Sequence, residues 1–151
     1  MTSAGLRRGG VLGMNARNLL YIDRWNPRDR YPAVDDKVRT KALAIAAGVP
    51  VPPRLAVVES QGALARLDAT LAGHSEFVVK PAQGAQGNGV LVVAGRDGAR
   101  YVRSDGTRFD RADLAYHCAG ILAGLYSLGG RLDRVLVEER LHTSPAFDDL
   151  A

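Results

Sequence analysis

The central stretch of the sequence, residues 77–94, reads FVVKPAQGAQGNGVLVVA. Two runs rich in β-branched residues flank a segment with three glycines, which predicts a strand, a glycine loop and a second strand. Glycines at this density let backbone N–H groups point together into a concavity that suits a polyphosphate. Lys80 ends the first strand, where its charge would neutralise phosphate beneath the loop. A flexible hairpin with a solvated lysine fits the spacing equally well, so the pattern alone leaves both interpretations open.

The glycine spacing excludes two well-known phosphate-binding motifs. No Lys-Ser or Lys-Thr follows the loop, as the GxxxxGK[ST] motif would require. The glycines follow the order GxxGxG, and a strand comes next where the dinucleotide-binding fingerprint needs a helix. The loop is therefore predicted to be a flap between antiparallel strands.

Capping and breaking signals predict two helices before the loop. A helix is expected over residues 14–22. A second is expected over residues 37–47, capped by Asp35 or Asp36 and ended by Gly48. Together with the loop strands, the predicted strands span residues 55–58, 77–80, 90–94, 100–103 and 134–141.

Two further helices are predicted from serine and aspartate caps. Ser60 precedes a helix with apolar positions three and four residues apart. Asp110 is expected to cap a helix over residues 111–126, ended by Gly129 and Gly130. The predicted apolar stripe of that helix consists of Leu114, Cys118, Ile121, Leu122 and Leu125.

A second lysine, Lys37, falls in the first turn of the helix predicted after Asp36. The helix dipole favours anions at that end, so a lysine there carries a small cost. A bound phosphate would relieve the cost, but this segment by itself favours an ordinary solvated helix face.

Length and composition indicate one ordinary domain or two small lobes. The chain has 151 residues, of which 46% are hydrophobic, enough for a folded core. Apolar runs such as residues 90–94 are far too short to span a bilayer, and no apolar core of a secretory signal is found. The single cysteine, Cys118, cannot form an internal disulfide. We therefore expect a cytoplasmic location.

The positive charge is concentrated in the first third of the chain. Residues 1–54 hold ten Lys or Arg against four Asp or Glu, a net charge of +6, whereas the remainder has a net charge of −2. Such a basic segment suits RNA, an anionic lipid surface or a phosphate-bearing ligand. No zinc spacing, helix-turn-helix signature or aromatic-interleaved basic strand is found, which disfavours a nucleic-acid partner.

Five motifs occur in the order that is typical of ATP-grasp ligases, which the chain resembles from residue 9 to residue 147. They are Asp36-Lys37 with Lys41, and residues 48–52, 77–81, 84–89 and 135–139. Four stretches look more narrowly like the α-L-glutamate ligase-like branch: residues 13–18, 31–37, 80–89 and 125–130. The resemblance implies an α+β fold, with a pre-ATP segment and a small ATP-binding lobe of antiparallel strands and helices.

The resemblance also implies an organisation of the chain. Residues 1–54 would be a basic helical pre-ATP-grasp segment, and residues 55–151 a partial small lobe that contains the phosphate loop. The second half of the ATP-grasp unit, which carries the metal ligands and the catalytic pocket in that family, finds no counterpart. We therefore expect a chain truncated before the C-terminal lobe and inactive by itself.

The same resemblance assigns roles to particular residues. Lys37 and Lys80 would contact the nucleotide, while Glu138 would lie near the adenine amine. Backbone groups of Glu139 and Leu141 would form the hinge that recognises the adenine edge. The loop residues expected to close over the ATP phosphates are Gly84, Gln86, Gly87, Asn88 and Gly89.

The implied function is ATP binding within an ATP-dependent carboxylate-amine ligase. That reaction proceeds through an acyl phosphate and uses Mg²⁺, whose ligands are expected in the missing half. The implied partners are ATP and amino-acid or peptide substrates, and self-association through the exposed lobe edge is also expected. The alternative is a noncatalytic basic module that binds polyanions or nucleic acid, which the charge of residues 1–54 favours.

Overall fold

The computed structural model describes residues 3–127, 129–142 and 144. The chain divides into two compact units, Met1–Val34 and Asp35–Ala151. No helix in the described ranges has the length and apolar character that crossing a bilayer requires. The cytoplasmic location and the functional boundary after residue 54 stay predictions.

The first unit consists of short helical segments. The helix predicted over residues 14–22 is confirmed and continues to Trp25, with a π-helical turn in its middle. Most of its large apolar side chains are exposed, Trp25 at 69%, whereas Ile22 is half-buried. The segments are α1 (Ser3–Arg8), α2 (Met14–Arg17), the π turn (Asn18–Ile22), α3 (Asp23–Trp25), a 3₁₀ turn (Arg28–Arg30) and α4 (Pro32–Asp35).

The second unit is built on one antiparallel sheet, which confirms the predicted α+β class. The strands lie in the order β1-β6-β2-β3-β4-β5, and every neighbouring pair is antiparallel. Strand β6 therefore lies between β1 and β2, and its first residue, Val135, is opposite Pro81 at the start of the glycine loop. The strands are β1 (Arg54–Val58), β2 (Phe77–Pro81), β3 (Leu91–Asp97), β4 (Arg100–Arg103), β5 (Arg108–Phe109) and β6 (Val135–Glu138).

In the described part of the second unit, four helices accompany the sheet, and three of them begin at the expected caps. The side chain of Asp36 accepts the backbone N–H groups of residues 38 and 39. Ser60 caps its helix through one backbone N–H, and Asp110 forms a reciprocal capping box with Asp113. Each cap satisfies helix N–H groups that would otherwise lack partners. The helices are α5 (Lys37–Ala46), α6 (Gln61–Leu64), α7 (Leu67–Leu71) and α8 (Arg111–Leu122).

The core lies between one face of the sheet and helices α7 and α8. Phe77 and Val79 on β2 and Val137 on β6 are completely buried there, and the rings of Phe77 and Tyr101 meet edge to face at 5.5 Å. Each such side chain contributes about 1.5–3 kcal/mol through burial. Because successive strand residues point to opposite faces, Lys80 and Glu138 project from the other side of the sheet.

The structure corrects two predicted helices. Helix α8 ends at Leu122 rather than at residue 126, and Leu125 is 71% exposed instead of continuing the apolar stripe. The stop is Gly124, with φ of +84°, where an added Cβ would lie 2.3 Å from the carbonyl oxygen of Arg131. Gly129 and Gly130 therefore do not end the helix. The helix expected after Ser60 is divided into α6 and α7.

Candidate functional site

The glycine loop connects β2 and β3, as the sequence predicts. These strands are antiparallel, with Phe77 opposite Val93 and Val79 opposite Leu91. The loop turns tightly at its tip, where Gln86 has φ of 58° and the Asn88 N–H donates to the Ala85 carbonyl at 3.1 Å. The predicted strand-loop-strand arrangement is confirmed.

The far end of the loop is fixed against the chain that follows α8. Gly89 has φ of +73°, and a Cβ there would lie 2.5 Å from Cγ of Tyr126 and 2.8 Å from Cγ of Pro81. Nε2 of His117 lies 3.0 Å from the Gly89 carbonyl oxygen. A carbonyl can only accept, so Nε2 must carry the hydrogen. Burial lowers the pKa of His117, which keeps the ring neutral at pH 7.

The near end of the loop is held by Asp133. Its carboxylate accepts the Gln83 N–H at 3.0 and 3.1 Å and the Arg134 N–H at 2.7 Å. The Arg134 side chain pairs in turn with Asp36, the cap of α5. These contacts fix the start of the loop relative to both β6 and α5.

Lys37 lies at the base of the loop. Its Nζ donates to the Gly84 carbonyl, and its backbone N–H donates to the Ala82 carbonyl at 2.9 Å. Burial lowers the pKa of Lys37, the charge of Lys80 lowers it further, and Asp133 opposes the shift only in part. Lys37 and Lys80 therefore lie close enough to repel each other.

Glu138 lies between two lysines on the sheet face opposite the core. One carboxylate oxygen pairs with Lys41, and the other lies 2.6 Å from Nζ of Lys80. Burial alone would raise the pKa of Glu138, but the hydrogen bonds and charges of the two lysines outweigh it and hold the pKa below the ordinary value. Glu138 is therefore a buried carboxylate kept in its ionised form.

The sequence contains three lysines among its 20 basic residues. Two of them pair with Glu138, and the third, Lys37, contacts the loop at Gly84. We call Lys37, Lys41, Lys80 and Glu138 the lysine cluster. A lysine ammonium is a compact charge on a flexible stem, whereas arginine is a rigid fork, so the two are not equivalent anion ligands. All three lysines of the sequence therefore lie in the lysine cluster.

The predicted site residues are thus only partly brought together. Lys37 contacts Gly84 at the base of the loop, Lys80 contacts Glu138, and the charges of Lys80 and Glu138 act on Lys37. Gln86 and Asn88 line a neighbouring cleft of about 300 Å³. Gly87 lies at the loop tip with φ of +76°. The two predicted hinge residues lie beyond β6, where the Glu139 N–H donates to the Pro53 carbonyl at 3.0 Å and Leu141 is exposed.

Three contributors to the site are not identified as site residues from the sequence. Lys41 follows Lys37 by four residues on the same helix face, a spacing that could have revealed it. Asp133 and His117 act on the loop from 50 and 28 residues away in sequence. No local pattern marks such long-range contacts.

The described residues do not fit a metal ion by themselves. Among residues 3–127, 129–142 and 144, no three His, Cys, Asp or Glu side chains converge on one point. The carboxylates of Glu138 and Asp133 are already engaged by ammonium groups and backbone N–H groups. The use of Mg²⁺ therefore stays a prediction.

The chain is a member of the ATP-grasp superfamily. Residues 16–151 match the model of the sugar-transfer associated ATP-grasp family, and the chain belongs to that family. This membership implies ATP binding. The narrower α-L-glutamate ligase-like assignment stays a prediction.

The crystal structure of the D-cycloserine synthetase DcsG is similar to the chain, with 26% identity and a TM-score of 0.44. The match covers 71% of this chain and 30% of that chain. No curated protein sequence matches.

Proposed function

We propose that this chain is the ATP-binding portion of an ATP-dependent carboxylate-amine ligase of the α-L-glutamate type. The observation that carries the proposal is the lysine cluster, in which Lys37 contacts the loop at Gly84 and both Lys41 and Lys80 pair with Glu138. Two like charges that repel each other are stabilised by a polyphosphate between them. Family membership supports ATP as the source of that polyphosphate.

The chain's own residues would bind and orient the triphosphate. Lys37 and Lys80 would neutralise its charge, and backbone N–H groups of residues 84–89 would donate to its oxygens. The contacts of Gly89 with His117 and Tyr126 would keep one end of the loop fixed while the tip covers the phosphates. The Glu139 and Leu141 backbone would lie along the adenine edge.

The whole protein's reaction belongs to the same proposal. A substrate carboxylate oxygen would attack the γ-phosphorus of ATP, forming an acyl phosphate and releasing ADP. The nitrogen of an amino-acid or peptide amine would then attack the acyl carbon, lose a proton and displace inorganic phosphate. Mg²⁺ would accompany ATP, with ligands outside the cluster described above. We expect the 151-residue chain to bind ATP without completing this reaction.

Titration with Mg·ATP tests the proposal. Lys80→Ala should weaken ATP binding about tenfold or more, since a hydrogen bond to a charged group is worth about 1.5–3 kcal/mol. Arg100→Ala removes one positive charge from an exposed position on β4 and is the matched control. Equal ATP affinity of the Lys80→Ala variant and the wild type would reject the proposal.

A noncatalytic polyanion-binding module is the second candidate. The net charge of +6 on residues 1–54 favours it, and arginines 17, 24, 28 and 30 are exposed. Such a module should bind ATP, tripolyphosphate and RNA with similar weak affinity that is lost in about 0.15 M salt. ATP binding that survives this salt and depends on Lys80 favours the ligase.

A further inference from the structure

Lys41 is the most deeply buried charged side chain of the lysine cluster apart from Glu138. Its relative exposure is 6%, and that of Glu138 is 5%. The Lys41 ammonium donates to the Pro52 carbonyl as well as to the carboxylate of Glu138. It therefore has no path to a ligand bound on the exposed side of Lys80, whose side chain is 30% exposed.

The charges of the cluster allow Lys41 to affect anion binding at Lys80 without contacting the anion. If Glu138 faced Lys80 alone, the carboxylate would neutralise that ammonium and would also repel an approaching anion. With Lys41 on its second oxygen, the three groups carry a net charge of +1. Part of the charge of Lys80 then remains available on the exposed side.

We propose that Lys41 is a positioning residue that neutralises and orients the Glu138 carboxylate, so that Lys80 can bind an anionic polyphosphate that Lys41 never touches. This inference rests on the proposed nucleotide site and identifies a residue that determines how tightly that site binds polyphosphate. It also explains a second lysine on α5: Lys37 contacts the loop, and Lys41, one turn later, contacts the sheet.

A double-mutant cycle tests the inference, with inorganic tripolyphosphate as the probe. This probe has no adenine, so any contact of Glu138 with the base cannot affect the result. Lys41→Met should weaken tripolyphosphate binding about tenfold, because the charge of Glu138 is then balanced by Lys80 alone. A change of this size is expected for one uncompensated charge in a partly screened site. Adding Glu138→Gln to that variant should restore most of the affinity, because the charge that Lys41 balances is then absent.

Matched variants separate this role from general effects. Arg39→Met removes a positive charge from an exposed position on the same helix and should leave tripolyphosphate affinity within about twofold of the wild type. Lys41→Arg keeps the charge and should bind better than Lys41→Met. If Lys41→Met does not fold, the single variant Glu138→Gln tests the inference. It should bind tripolyphosphate more tightly than the wild type.

Three results would overturn the inference: wild-type affinity in a folded Lys41→Met variant, a loss that Glu138→Gln does not relieve, or unchanged or weaker binding by Glu138→Gln alone. Parallel titrations with Mg·ATP keep it distinct from the proposed function. If tripolyphosphate shows the expected pattern and ATP does not bind, the nucleotide function fails and the role of Lys41 stands. If the wild type binds neither probe, both are overturned.

Discussion

Glu138 and Lys80 lie on adjacent strands and contact each other diagonally, with carboxylate oxygen and ammonium nitrogen 2.6 Å apart. The register places Lys80 opposite Leu136 and Glu138 opposite Val78, so the two side chains share one face and are offset by two residues. Long side chains can reach across such a diagonal. The pairing therefore depends on β6 entering the sheet beside β2 in this register.

The contact between Gly89 and Tyr126 gives a prediction about stability. In Gly89→Ala, a Cβ would enter the Tyr126 ring at a position that already has positive φ. We expect a loss of about 2–4 kcal/mol in the free energy of unfolding, which combines backbone strain and overpacking. Urea denaturation measures it.

Gly98→Ala is the control for that substitution. Gly98 has φ of +59°, and an added Cβ there meets nothing within 4 Å. In this variant the free energy of unfolding should fall only by the contribution of backbone strain, about 1–2 kcal/mol. Equal losses in the two variants would show that Tyr126 does not pack tightly on the loop.

The lowered pKa of Glu138 predicts a pH dependence of stability. A carboxyl whose pKa is lower in the folded than in the unfolded chain stabilises the fold above its unfolded value, and this contribution disappears as pH falls through the folded pKa. The free energy of unfolding should therefore fall on acidification below the ordinary glutamate range, about pH 4.3. Urea titrations between about pH 6 and pH 3 measure the slope.

Glu138→Gln should show a shallower slope than the wild type. Asp105 also has a lowered pKa, because Thr107 donates hydrogen bonds to it, but it is present in both proteins and cancels in the comparison. Identical slopes would show that Glu138 is not held as a carboxylate by its two lysines.

The single cysteine reports on the core. Cys118 on α8 is fully buried, and burial raises the pKa of its thiol to about 12. The reactive thiolate is therefore scarce and shielded in the native protein. A thiol reagent such as DTNB should react only as fast as the core opens, and rapidly in urea. Stoichiometric reaction within minutes under native conditions would contradict the packing of α8 on the sheet.

The sequence predicts the loop and its strands because the signals are local. β-Branched runs bounded by glycine and proline mark β2 and β3, and a polar cap precedes α5, α6 and α8. The end of α8 is predicted wrongly because the glycine pair at 129 and 130 outweighs the single Gly124, whose role depends on the distant Arg131 backbone.

The lysine cluster illustrates what a sequence pattern leaves out. Lys80 and Glu138 are 58 residues apart, and their contact follows from a strand order that no local motif specifies. Resemblance to a family assigns roles to both residues and includes Lys41 only as part of a motif, and the fold then shows that Lys41 pairs with Glu138. Local chemistry therefore predicts the candidates, and topology decides which of them meet.

The central claim is that Lys37 and Lys80 bind the phosphates of ATP, and lysine modification tests it directly. Because the chain has only three lysines, acetylation followed by mass spectrometry reports on this cluster alone, with the α-amino group of the N-terminus as an internal reference. Saturating Mg·ATP should slow acetylation of Lys37 and Lys80 about tenfold or more relative to the α-amino group, since charge-assisted hydrogen bonds occupy both amines. Unchanged rates at both lysines would contradict the account.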